Sequence, residues 1–235
     1  MKKTILTKLI AGSLLVAANV ANAGIHVNFG AISVAPNESS NYLSTVEAVA
    51  GLPTDSTDLG LNSNRQIGIT IDYDYNENIV FELVAATPFS HEISVQSSAA
   101  VVDGLKAGNT KHLPPTLLAQ YHFGTQDSAF RPFVGAGLNY TIFFDEEVKN
   151  LDTALTGLGL IGANDKLTLE LDPSLGLAFQ AGFNYKLNDK WGVHAMAMWA
   201  DIAAEGSVNL NGSKLQAVNL DVDPLVFMLG ARYSF

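Results

Sequence analysis

Apolar residues recur at every second position in block after block of this chain. Ile67, Ile69, Ile71 and Tyr73 alternate with Gly68, Thr70 and Asp72; Ile79, Phe81, Leu83 and Ala85 alternate with Val80, Glu82 and Val84. The same period runs through 117–123, 134–142, 175–185 and 191–199. A strand sends successive side chains to opposite faces, so each block predicts a β-strand with one apolar face. A first strand over 25–34 and a last over 225–235 bring the number to eight, an even count and the smallest usual for a membrane barrel. The last block carries Leu225, Phe227, Leu229, Ala231, Tyr233 and Phe235 on one face and ends the other in Arg232 and Ser234. An aromatic C-terminal residue closing such a strand is usual for outer-membrane barrels.

The connections alternate in length. Three are short (74–78, 124–129, 187–190) and four are long (35–64, 89–111, 145–166, 203–219). Short periplasmic turns and long external loops show this asymmetry. Tyr73, Tyr75, Phe123, Phe133, Tyr185, Trp191, Tyr233 and Phe235 lie near the short turns, where an aromatic girdle is expected. A soluble eight-stranded barrel would carry charge on its outer face. Here the apolar faces have almost none.

The N-terminus predicts export. Lys2, Lys3 and Lys8 precede an apolar stretch, and Ala21-Asn22-Ala23 is a small-x-small cleavage site, so residues 1–23 read as a signal peptide and 24–235 as the barrel. The apolar stretch is shorter than the roughly 20 residues of a spanning helix. A membrane protein without such a helix must close a barrel, because lipid cannot satisfy open backbone groups. The net charge of −10 argues against nucleic acid as a partner. With no cysteine and five scattered histidines, the sequence has no metal signature and calls for no cofactor.

Strand parity predicts the lumen. Near the short turns the inward set includes Asn28 and a polar floor of Asp72, Glu82, Gln120, His122, Asn184 and Arg232. Above it come Val84, Ala86, Leu118, Met196, Met198 and Met228. Eight strands leave a bore that side chains nearly fill, so an open water pore is not expected. Two readings remain: ordinary packing over a buried polar network, or an apolar pocket open to the outside and stopped by the floor. Thioether side chains suit the second, since they adapt to varied apolar shapes. Pro88, Pro114, Pro115, Pro173 and Pro224 fall where strands enter the external half. Proline cannot donate to a ladder, so they mark either strand termination or a sideways opening in the wall.

Four segments carry a family resemblance: FELVAATPF (81–89), KHLPPTLLAQ (111–120), FRPFVGAGLNYTIFFD (130–145) and VDPLVFMLGARYSF (222–235). They resemble the outer membrane protein W family. The resemblance implies an eight-stranded barrel with a narrow hydrophobic channel, uptake of small apolar molecules, and release sideways into the membrane. It places two constriction positions on Val84 and Met198, the second a tryptophan in the best-known member. The first long loop, 35–64, matches poorly, so its role is not carried over.

Three classes of function follow. The first is a passive channel for small hydrophobic solutes, with Val84, Leu118, Met196, Met198 and Met228 lining it. The second is a structural or surface-interaction barrel for adhesion, phage or bacteriocin docking. The third is an outer-membrane enzyme, which would need a Ser or Asp nucleophile beside a rim histidine, His91 or His112; no catalytic spacing is readable, and no enzyme is expected. Outer-membrane lipid and the barrel-assembly machinery, met through the strand ending in Phe235, are the remaining expected partners.

Overall fold

The computed structural model describes residues 24–100, 102–148, 151–157, 161–162 and 164–235. The expected signal peptide lies outside them. The strands, in chain order, are β1 (Ile25–Ala35), β2 (Ser39–Ser40), β3 (Thr57–Leu61), β4 (Asn64–Asp74), β5 (Ile79–Ala86), β6 (Phe89–Ser97), β7 (Lys106–Leu113), β8 (Thr116–His122), β9 (Phe130–Val148), β10 (Leu167–Leu171), β11 (Ser174–Lys186), β12 (Trp191–Ala200), β13 (Ala203–Leu210), β14 (Ser213–Asp221) and β15 (Leu225–Ser234). Two short helices, α1 (Ser44–Ala50) and α2 (Leu151–Gly157), interrupt the longer connections.

Eight strands close a ring in the order β1, β4, β5, β8, β9, β11, β12, β15, all antiparallel, with β15 pairing back onto β1 from His26–Ser234 to Ala35–Leu225. Closure leaves the membrane-level wall with no open edge, as hydrocarbon demands. No helix among the described residues is long and apolar enough to cross a membrane. Parity sorts the side chains as the alternation predicts. Ile67, Ile69, Leu83, Leu117, Leu138, Leu177, Phe179, Phe227 and Leu229 stand on the outer face, while Thr70, Asp72, Glu82, Val84, Leu118, Gln180, Met196 and Met228 are buried inside. Tyr73, Tyr75, Phe123, Tyr185, Trp191 and Phe235 form the expected exposed aromatic belt near the short turns. Phe133 does not join it. Its neighbour Val134 faces out, so Phe133 must face in, and it is buried in the lumen.

The long connections differ from loops. β6 and β7 form a hairpin that continues the wall on the upper half of β9, and β3 pairs onto β6. Opposite, β10, β13, β14 and β2 make a separate four-stranded sheet. The cause is again alternation: Phe89, His91, Ile93 and Val95 turn inward while Ser90 and Glu92 turn out. The outer face here carries ion pairs, Lys106–Glu92 at 2.9 Å and Lys111–Asp145 at 3.2 Å, so this half stands above the lipid. The segment 35–64 is tied in by Glu47. Its carboxylate accepts the backbone N–H groups of Asp55, Ser56 and Thr57 at 2.9–3.0 Å and the Thr57 hydroxyl at 2.8 Å. Desolvation opposes the charge, but these four donors outweigh it and hold the carboxyl below the usual range.

The prolines do not all interrupt the wall. The Pro224 carbonyl still accepts from the Ala200 N–H at 3.4 Å. Pairing lapses instead at two seams. The β5–β8 ladder ends at Val84–Thr116 and the β6–β7 ladder begins at Phe89–His112. Between them Ala85 to Pro88 lie beside Pro114 and Pro115, which have no N–H to give. The second seam separates the upper half of β9 from β10, which pairs only with β13 among the described residues.

Replacing Phe179 by Arg is expected to destabilise the barrel by about 2–4 kcal/mol, the depth-dependent cost of a cation on the lipid face. Urea titration of the barrel folded into lipid vesicles measures this; an unchanged midpoint would mean that the faces are inverted.

Candidate functional site

The floor is built where seven strands, β1, β4, β5, β8, β11, β12 and β15, carry polar residues inward near one level. Asp72 and Glu82 are direct cross-strand partners, and two like charges so placed repel. The chain gives each its own partners. Arg232 Nη1 donates to Asp72 and, at 3.1 Å, to Asn28 Oδ1. Asn28 Nδ2 donates to Asp72 at 3.1 Å and to Thr70 at 2.6 Å. Glu82 instead accepts from the side-chain amides of Gln120, at 2.8 Å, and Gln180, at 2.7 Å. His122 Nε2 donates to Gln120 Oε1 at 2.7 Å. His194 Nδ1 donates to Asn184 Oδ1 at 2.8 Å.

The structure thus brings all six expected floor residues together and adds Thr70, Gln180, His194 and Phe133. The Phe133 ring lies between His122 and His194, with centroids 4.9 and 5.7 Å away and planes within 20°. Glycine makes the room. A Cβ on Gly182 would stand 2.5 Å from Phe133 Cζ, and one on Gly135 would stand 3.1 Å from Gln120 Cγ.

Among the described residues, three spaces lie along the axis. Below the floor, a polar vestibule of about 520 Å³ is lined by His26, Asp74, Arg131, Asn184, Lys186 and Arg232. Directly above the floor, Leu118, Met196 and Met228 are buried and line none of the three spaces. Higher still, a pocket of about 20 Å³ is lined by Ile32, Val34, Val84, Met198 and Val226, and by Ala85, Ala86 and Pro114 at the first seam. Of the expected lining residues, then, Val84 and Met198 border open space. The uppermost space is an apolar vestibule of about 140 Å³ enclosed by both extracellular sheets, with Leu59, Ile93, Val95, Leu169, Ile202, Val218, Leu220 and Val222 in its wall.

His91 and His112 face this vestibule, and their rings stack at 4.9 Å. Phe89 stacks on His112 at 5.4 Å, and Phe143 flanks it at 6.0 Å. His91 Nδ1 donates to the Asn62 carbonyl at 2.5 Å. Burial pulls both imidazoles below their usual range, His112 to about 3 with His91 adding to the effect, so both are neutral at ordinary pH. No group of three or more metal-ligating side chains occurs among the described residues. The sequence marks His91 and His112 as rim histidines but not their stacking, which needs the β6–β7 hairpin; the Phe89-His91-Ile93-Val95 alternation is the signal for it within the expected loop 89–111.

The model of the OmpW family matches residues 22–235. Outer membrane protein W of Vibrio cholerae serotype O1 is 41% identical over 209 residues, covering 89% of this chain and 87% of that protein. This chain belongs to the OmpW family. It is accordingly a transmembrane β-barrel of the Gram-negative outer membrane. OmpW-type architecture is also found in the crystal structure of OprG from Pseudomonas aeruginosa, with a TM-score of 0.75 and 34% identity over 91% of this chain and 96% of that one. The solid-state NMR structure of AlkL in lipid bilayers shares the fold, with a TM-score of 0.65 at 20% identity over 93% of each chain.

Deleting one partner of the floor ion pair, by Arg232→Ala or Asp72→Ala, is expected to destabilise this OmpW-family barrel by about 3–5 kcal/mol, because an uncompensated charge stays buried. The double substitution Asp72→Leu with Arg232→Met should recover most of that loss. Combining the two alanine substitutions closes a double-mutant cycle whose denaturant midpoints read the coupling; additive effects would show that the pair does not interact.

Proposed function

We propose that this barrel is a passive conduit for small apolar molecules, entered from outside and left sideways into the membrane. The apolar vestibule standing above a hydrogen-bonded polar floor carries the reading. An apolar solute is favoured in the vestibule by the area it removes from water. Val84 and Met198 form the narrow end of its path. Going farther would mean separating Leu118, Met196 and Met228 and then breaking bonds among Asp72, Glu82, Gln120 and Arg232, which an apolar molecule cannot replace.

The side exit in this reading is the first seam. The small pocket there reaches from Val84 and Met198 to Ala85 and Pro114, and lipid-facing Ile67, Leu83 and Leu117 flank it outside. Opening the wall beside Pro114 and Pro115 breaks fewer ladder bonds than opening it elsewhere. We further propose that residues 1–23 are an export leader and that the strand ending in Phe235 presents the barrel to its assembly machinery.

Met198→Asp is expected to reduce uptake of an apolar tracer into protein-containing vesicles while leaving barrel folding intact. Asn184→Trp, which obstructs the lower vestibule, should leave uptake unchanged. Uptake that survives Met198→Asp but fails in Asn184→Trp would mean that the route runs straight through the floor. Uptake equal to that of empty vesicles would favour a purely structural or surface-interaction role.

A further inference from the structure

We propose that the stacked pair His91 and His112 is a recognition point for a hydroxyl group, so that the molecules bound in the vestibule are neutral alcohols and phenols in preference to plain hydrocarbons. The inference rests on the conduit reading and names the chemical class within it.

Three observations carry it. First, the pair is polar in a mostly apolar chamber, where the Thr110 hydroxyl and the Gln216 amide are already bonded to backbone, and His112 borders both the vestibule and the pocket below it. It shares that position with Val34, Ile202 and Pro224 and is the polar member of the set. Second, its hydrogen-bonding capacity is not used up by the protein. His91 commits Nδ1–H to the Asn62 carbonyl, so Nε2 of the neutral ring is left as an acceptor. His112 is 6% exposed and neither ring nitrogen has a hydrogen-bond partner among the described residues. One of its nitrogens is a donor and the other an acceptor. Third, the rings are fixed. Their planes lie within 14° of each other, and Phe89 and Phe143 pack on His112.

A hydroxyl fits this arrangement because it both donates and accepts. A hydrocarbon filling the vestibule would cover these nitrogens without giving them partners, and an unsatisfied buried polar group is unfavourable. A carboxylate fits poorly. The rings are uncharged, and the nearby lysines, Lys106 and Lys111, are held on the outer face by Glu92 and Asp145.

The test uses the full barrel in lipid nanodiscs with ring nitrogens of histidine labelled, and two probes of equal heavy-atom count, 1-hexanol and n-heptane. Both probes should shift the methyl resonances of Ile93 and Val95. Only hexanol should shift the ring nitrogens of His91 and His112. His112→Phe keeps the stack and should lower the hexanol-to-heptane affinity ratio about five- to tenfold, the worth of one hydrogen bond. Methyl shifts from both probes with unmoved nitrogens, or an unchanged ratio in His112→Phe, would overturn the recognition and leave the conduit standing. Methyl shifts from neither probe would overturn both. If His112→Phe fails to fold, the nitrogen shifts in the unsubstituted chain decide alone.

Discussion

Inside a bilayer no water is available to satisfy a backbone N–H or C=O, and each one left bare is expensive. That single constraint organises this molecule. It forces β15 back onto β1 and β9 onto β11, so that below the first seam the ladder runs round the whole ring. Once the ring is closed, parity has no freedom: every strand must turn one set of side chains to lipid and the other to the axis. The lumen's contents are therefore a consequence of closure, and its polar residues must find partners among themselves.

The floor shows how that internal demand is met. Two carboxylates on neighbouring strands would repel, yet one is neutralised by Arg232 and the other is solvated by two glutamine amides. The amides act as immobile solvent for Glu82. This network of side-chain hydrogen bonds, which leaves Glu82 Oε1, His122 Nδ1 and His194 Nε2 without hydrogen-bond partners, gives the base directed contacts, in contrast to the apolar space above it, where thioethers and branched aliphatic groups impose shape with little direction.

The membrane half of the fold was legible because its two faces differ sharply in chemistry, so Ile67, Ile69 and Phe179 announced their side. The depth ordering of polar and apolar lumen residues followed from the same parity. Other parts were less accessible for definite reasons. Phe133 was read from its nearness to a turn when its neighbour Val134 already fixed its direction. Which acid Arg232 meets depends on three-dimensional packing across β1, β4 and β5, to which a period of two is blind. The His91–His112 stack comes from a hairpin register, Phe89 opposite His112, between residues far apart in the chain. The extracellular strands were hidden because their outer positions are Ser, Asn and Lys, the composition of a loop, although their inner positions kept the alternation.

The bonded base also bears on the cell as a whole. An outer membrane survives by refusing detergents, dyes and bile-like compounds while staying permeable enough to feed the cell, and each added pore erodes that refusal. At the level of Asp72, Arg232, Glu82 and their amides, and of Leu118, Met196 and Met228 above them, this barrel's bore is taken up by buried side chains, so at that depth it adds wall to the envelope and not a hole.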